Sequence, residues 1–247
     1  MAMINGGVLT DNPVDVVIGA HVSSLAPLGF VGTKPGVMMS EAASLSIHIK
    51  GKGGHGAMAS VEGNVILAVS HLAPRLGEVV DGLSFEGTNC ACSAGVINAG
   101  TAMNVVPRHA VLRGTLRTFT AGQHVEALER LRTLMDEVET MFVVACSLDL
   151  TDLAPTVVNN VDVYEQVMKS ATKVVGASGV MTIPPFTPSD DVSEFMNRVP
   201  GCYMFIGGAN DDGSSGMHHS PDFQVQDGAC RILAGVLVQS AVDLAQL

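Results

Sequence analysis

Two histidines stand side by side in "GGANDDGSSGMHHSPDF": His218 and His219, just ahead of Ser220 and Pro221. A third, His21, closes the apolar run "VDVVIGAH" near the start of the chain. Neutral imidazole is the commonest protein metal ligand and, through its two ring nitrogens, a proton carrier near neutral pH, so these are candidate metal ligands. A fourth, His55, sits inside "GKGGHG", where glycines on both sides leave its ring accessible. Asn104 and Arg117, in "NAGTAMNVVPRHAVLRGTLRT", could together grip a carboxylate, the guanidinium bidentately; a turn asparagine and a solvated strand arginine are equally compatible with that string. His48, His71, His109 and His124 show no partner in the sequence and take no chemistry. Asp190 and Asp191 in "PSDDVSEF" read as helix-capping acids.

These side chains need elements to hold them. "VDVVIGAH" and "CYMFIGG" are continuous apolar runs, the pattern of strands buried on both faces of a parallel sheet. Ligand sites in such sheets gather beyond the carboxyl ends of the strands, which would bring His21 and the His218-His219 loop to one rim. Apolar residues at helical spacing follow at Val161, Tyr164, Val167, Met168, Ala171 and Val175, with Gly176 as a stop, and again from Ala229 to Leu244. The middle of the chain differs: "SLSIHIK" and "VLRGTLRT" alternate apolar with polar residues, as strands with one wet face do. With helices over Val61–Leu72, ended near Pro74, and Val125–Val138, and with the strands "CACSAGVI" and "FVVACSLDL", the order is β-α-β-β-α-β, the split unit of a ferredoxin-like domain. The predicted fold class is α/β: a parallel-sheet domain over 1–42 and 151–247, interrupted by a ferredoxin-like insert over 43–150.

Composition narrows the function. The chain has 247 residues, 47% hydrophobic and 15% charged, with a formal net charge of -11 and only 13 Lys and Arg. It has the apolar material for a sizeable core, and an acidic surface speaks against a nucleic-acid backbone as partner. No apolar run is long enough to span a bilayer, and "MAMINGGVLTDNP" lacks the features of a signal peptide, so a cytoplasmic protein with no membrane partner is expected. Five cysteines without a C-x-x-C pair suggest neither a disulfide framework nor a zinc knuckle. Gly51, Gly53 and Gly56 satisfy G-x-G-x-x-G, a dinucleotide fingerprint, but an alternating strand before them and no acid-ended strand after them make a plain glycine turn the preferred reading.

Taken in order, "MINGGVLTDNPVDVVIGAH", "GKGGHGAMA", "AGTAMNVVPRHAVLRGTLRT", "SDDVSEF", "PGCYMFIGG" and "HHSPDF" resemble the metal-dependent aminoacylase and carboxypeptidase family of amidohydrolases, particularly its N-acyl-amino-acid and indoleacetyl-amino-acid hydrolase branch. The resemblance implies a metal-binding α/β domain interrupted by a smaller lid or dimerisation domain. It implies His21 and His219 as metal ligands, His55 as the catalytic group that polarises the scissile carbonyl in a neighbouring subunit's site, and Asn104 and Arg117 as binders of the substrate carboxylate. The implied cofactor is a divalent metal, zinc or manganese, two per complete site. The implied substrate is an N-acyl amino acid or small peptide, and the implied partner a second copy joined through the insert. Departures include Ala59 for a usual proline, Asn64-Val65 for a downstream Asp-Pro pair, and Asp190 and Val192 in the "SEDF"-like string. The family's His/Cys metal motif and Glu-Glu pair lie upstream of everything present here, so the chain is expected to be a carboxyl-terminal part, binding metal weakly or not at all and inactive alone. A non-catalytic dimerisation module derived from such an enzyme is the alternative, with dinucleotide binding a weaker one.

Overall fold

The computed structural model of the chain describes residues 1–11 and 13–246. Its contacts divide into two compact units, one formed by Met1–Met39, Val157–Pro185 and Asp190–Leu247, the other by Ser40–Thr156 and Phe186–Ser189. In chain order the first unit opens with α1 (Ala2–Asn5), β1 (Val17–Pro27), β2 (Val31–Thr33) and β3 (Gly36–Met39). The second follows with β4 (Ala42–Lys50), β5 (Gly54–His55), α2 (Val65–Leu72), β6 (Ser84–Phe85), β7 (Thr88–Asn89), β8 (Ala91–Ala99), β9 (Val105–Val106), β10 (His109–Arg117), α3 (Ala121–Phe142) and β11 (Ala145–Ala154). The chain then returns to the first with β12 (Val157–Asn159), α4 (Val161–Val175), β13 (Val180–Thr182), α5 (Ser193–Met196), β14 (Gly201–Ala209) and α6 (Gly228–Leu244).

In the first unit the sheet order is β1-β14-β2-β13. β1 runs parallel to β14 and β13 parallel to β2, but β14 and β2 are antiparallel, so the sheet is mixed rather than purely parallel. β14 has the double burial its sequence predicts. Cys202, Met204 and Ile206 join Val163, Val167 and Ala171 of α4 and Ala229 and Val236 of α6, while Tyr203 and Phe205 turn to Met38, Met39, Val157 and Met196. Side chains alternate across a strand, and each face meets its own apolar layer. β1 differs from expectation: it lies at one end of the sheet order, and its residues from Val17 to Ala20 are only half-buried. Residues on both flanks of the insert are tied by β3 and β12, which pair antiparallel with Val157 opposite Met39 and Asn159 opposite Gly36.

The polar centre of this unit is Asn159, which is 1% exposed. Its amide nitrogen donates to Thr33 Oγ1 at 2.9 Å and to the Lys34 carbonyl at 2.7 Å, and its Oδ1 accepts from the Tyr203 N–H at 2.7 Å. Neighbouring Asn160 caps α4, accepting from the N–H groups of Asp162 and Val163. α4 runs to Val175 and stops at Gly176 as the sequence predicts.

The second unit carries a four-stranded sheet, β11-β4-β10-β8, antiparallel throughout. With α2 and α3 this is the β-α-β-β-α-β arrangement. Leu45, Ile47 and Ile49 of β4 and Leu112 and Leu116 of β10 are fully buried or nearly so, as are Leu72, Leu76 and Leu131. Burying each such side chain is worth about 1.5–3 kcal/mol. Three local expectations shift. α2 ends at Leu72 as expected but starts at Val65, capped by Asn64, rather than at Val61, and Pro74 suits the first turn of the 3-10 stretch Ala73–Val80 that follows. α3 buries Ala127, Leu131, Leu134, Met135, Val138 and Phe142 and leaves Val125 exposed. Phe142 belongs to that helix rather than to β11, and Val143 ends it in a left-handed conformation.

Candidate active site

His21 lies in the middle of β1, opposite Phe205 of β14, rather than at its end. The strand runs on past the apolar stretch because parallel pairing continues to Ser23 opposite Gly207 and resumes at Pro27 opposite Ala209. The histidines therefore meet along the flank of β1, not at a rim beyond it. After β14 the chain loops out and returns. Gln226 anchors the return by donating from its side chain to the Ala209 carbonyl and from its backbone to that of Gly208. Gly216 allows a close crossing, since a Cβ there would sit 2.7 Å from the Asp222 backbone and from Ser220 Oγ.

This loop brings His218 edge-on to His21, with ring centroids 5.1 Å apart, and 4.8 Å from the ring of Phe223. His218 and His219 occupy a turn, and His219 has a φ of +65°. They are therefore not extended neighbours facing opposite ways, and both line one open cavity of about 610 Å³ with His21, Ser220, Pro221 and Phe223. Hydrogen bonds sort the three rings. His21 donates from Nδ1 to the Val22 carbonyl at 2.6 Å, which leaves Nε2 with a free lone pair. His218 Nε2 accepts from the Ser24 N–H at 3.4 Å, so its lone pair is engaged. Burial first, then the neighbouring imidazoles of His21 and His219, hold the His218 pKa below the ordinary histidine value and keep the ring neutral. His219 is exposed.

Imidazole nitrogens of this kind suit a borderline divalent cation such as zinc, which takes about three protein ligands at a catalytic centre. Among the described residues no group of three or more His, Cys, Asp or Glu side chains is placed to hold an ion. His21 and His219 fit such a cation in kind, as part of a coordination set.

The second unit holds the other candidates. β5 pairs with β9, so His55 stands opposite Val105 and the Gly56 N–H reaches the Asn104 carbonyl at 2.7 Å. His55 Nδ1 accepts from the Ala57 N–H at 3.1 Å, capping a short 3-10 turn. In the neutral ring the proton then sits on Nε2, an exposed donor. Arg117 ends β10 and donates to Ser189 Oγ at 3.1 Å. At about 3.3 Å per residue, β10 separates its two ends by about 26 Å. Asn104 precedes the strand and Arg117 closes it, so the two belong to opposite ends of β10. The structure instead joins His55 with Asn104. The glycine run fails as a dinucleotide turn, because the sheet before it is antiparallel and a three-residue 3-10 turn, not an α-helix, follows it. Neither Asp190 nor Asp191 caps α5, whose N-cap is Val192 with no side-chain bond; Asp190 instead accepts from the Val192 N–H in the turn before the helix and from the buried Tyr203 hydroxyl at 2.9 Å, which no local pattern signals.

The sequence profile of the peptidase family M20/M25/M40 matches residues 1–243. Thermostable carboxypeptidase 1 of Saccharolobus solfataricus is 28% identical over 232 residues, 93% of this chain and 58% of that protein. An N-acetyldiaminopimelate deacetylase of Bacillus cytotoxicus is 24% identical over 220 residues, 89% of this chain and 57% of the relative. Of solved structures, one assigned as an aminohydrolase from methicillin-resistant Staphylococcus aureus superposes with a TM-score of 0.75 at 27% identity, covering 98% of this chain and 61% of that one. A dinuclear metal-binding M20 peptidase from Bacillus subtilis gives 0.70 at 21% identity, covering 98% and 60%. The chain thus spans a little under three-fifths of each of these two curated relatives. Among the described residues no helix is long and apolar enough to cross a membrane.

Proposed function

The chain belongs to the peptidase family M20/M25/M40, and from that premise we propose that it serves a metal-dependent amidohydrolase acting on N-acyl amino acids or small peptides. The observation that carries the proposal is the flank of β1, where His21, its Nδ1 tied to a backbone carbonyl, shares one cavity with His219. His21 and His219 would hold a divalent cation, zinc or manganese. When bound, such an ion supplies Lewis-acid polarisation of the scissile carbonyl.

This chain's own residues add three further groups to such a site. His55 presents an Nε2 donor on an exposed glycine-rich turn, suited to a developing oxyanion, and Asn104 lies beside it in the turn that enters the paired strand, held by the Gly56 N–H. Arg117 supplies a half-buried guanidinium for the carboxylate of the substrate. The separation of His55 and Asn104 from Arg117 along β10 favours service by two copies of the chain, the pair in one and the arginine in the other. The insert then acts as lid and dimerisation domain. Its outer strand β8 exposes Val96 and Ile97, and α2 exposes Ile66 and Leu67, an apolar set suited to a second copy.

The gene product extended to its relatives' length, loaded with zinc or manganese, should hydrolyse N-acetyl amino acids or dipeptides, and both chelation and His21→Ala should abolish turnover. Turnover indifferent to a chelator would refute the proposal. Dimers without turnover would favour the second reading, a non-catalytic dimerisation module, which the exposed edge of the insert supports.

A further inference from the structure

The open face of the sheet in the second unit carries a histidine pair that the sequence does not foreshadow. Leu45, Ile47 and Ile49 of β4 are buried, so Ser46, His48 and Lys50 point to the opposite face. On β10, His109 shares that face, directly opposite Lys50, and on β11 so does Asp149. The imidazoles of His48 and His109 stack at 5.5 Å with planes 18° apart, and His48 Nδ1 lies 3.4 Å from His109 Nε2. The other ring nitrogen of His48, Nε2, lies 3.1 Å from Asp149 Oδ2, on a side chain that is 76% exposed.

We infer that His48 and His109 form an inter-strand binding site for one zinc-like divalent cation, with Asp149 as the positioning residue behind His48. The spacing is the first ground. Two nitrogens bound to one zinc at about 2.0–2.1 Å in tetrahedral geometry are about 3.3 Å apart, and these two are 3.4 Å apart without any ion. The second ground is the carboxylate. Asp149 takes the Nε2 proton of His48 as a hydrogen bond, which fixes the tautomer whose Nδ1 lone pair faces His109, the carboxylate-histidine arrangement that orients ligands around metals. Nε2 of His109 then donates to that lone pair. On binding, His109 moves its proton from Nε2 to Nδ1 through solvent and turns about χ2, a broad torsion, until the two lone pairs converge. No proton is lost overall, and water completes the coordination shell. Lys50 opposes the cation with its own charge.

This inference is independent of the proposed hydrolase and of the cavity at His21. In the full 247-residue chain titrated with zinc, the ring NMR signals of His48 and His109 should move together and saturate at one ion. Cobalt in place of zinc should give the visible bands of a tetrahedral ion. His48→Gln or His109→Gln should each remove that response and leave the response of His21 and His219 as it was. Asp149→Asn should weaken zinc binding about 10–100-fold, and Lys50→Gln should strengthen it. The idea is overturned if the two rings stay unmoved at zinc levels that shift His21. It is equally overturned if His109→Gln leaves the affinity at His48 unchanged, which would mean ordinary binding to single imidazoles.

Discussion

The imidazole of His218 lies edge-on to that of His21, 5.1 Å between centroids, while its Nε2 is already held by the Ser24 N–H. Contact and coordination are thus separated: the histidine nearest His21 has its lone pair in use, and the one beside it, His219, is exposed. In the extended, metal-loaded protein, His219→Ala should therefore release metal and abolish turnover. His218→Ala should keep the ion but weaken its binding about 10–100-fold, as loss of a group that orients a ligand does. Metal analysis after gel filtration distinguishes the two, and loss of the ion in His218→Ala alone would reverse the assignment.

Arg117→Ala in the same protein should raise KM for substrates with a free carboxylate about tenfold or more, since hydrogen bonds to charged groups are worth about 1.5–3 kcal/mol. Amidated substrates should lose far less. Equal losses on the two would show that Arg117 does not anchor the carboxylate.

Asn159→Ala should destabilise the first unit by about 3 kcal/mol, because it strands a buried Tyr203 N–H and removes a donor from Thr33, at about 1–3 kcal/mol for each unsatisfied group. Urea unfolding followed by a probe in that unit measures it: the midpoint should fall with little change in slope. An unchanged midpoint would mean that water replaces the amide without cost.

Asp243 predicts an acid limit. Lys173 at 2.7 Å, with Ser170 at 2.6 Å and Gln239 at 3.0 Å, holds its carboxyl below the ordinary 3.8. A carboxylate with a depressed folded pKa adds stability that is fully present above the unfolded value and is lost as pH falls through the folded one. Between pH 5 and 3 the urea midpoint of the wild-type chain should therefore drop more steeply than that of Asp243→Asn. Parallel curves would assign the acid sensitivity to other groups.

How much of this was legible beforehand follows from the range of the forces involved. The insert reads plainly because alternation in "SLSIHIK" and "VLRGTLRT" is a local record of which face is buried, and β4 and β10 bury the residues that pattern selects. The mixed sheet was hidden because β2 and β13 are only three residues long, too short for any period to declare itself. Asn159 and Asn160 look alike as a pair, yet one caps a helix through its near neighbours and the other bonds residues more than forty positions away. Nothing within a few residues of Asn159 separates those roles. His48 and His109 escaped for the same reason, being 61 positions apart. The choice of His21, His55 and His219 rested on order along the chain, and their hydrogen bonds now say which nitrogen of His21 and of His55 is free to act.

The ladder between β3 and β12 is a hairpin whose loop, Ser40–Thr156, is nearly all of a folded unit. Closing a floppy loop costs more as it lengthens, so shrinking its effective length from about a hundred residues to about five lowers that cost by about 3 kcal/mol. The ladder forms most readily once the intervening sheet has already organised, which makes the insert a kinetic prerequisite for the strand pair that carries Asn159. A core lesion in the insert, such as Leu112→Ala, should accordingly slow the assembly of a neighbour it does not belong to.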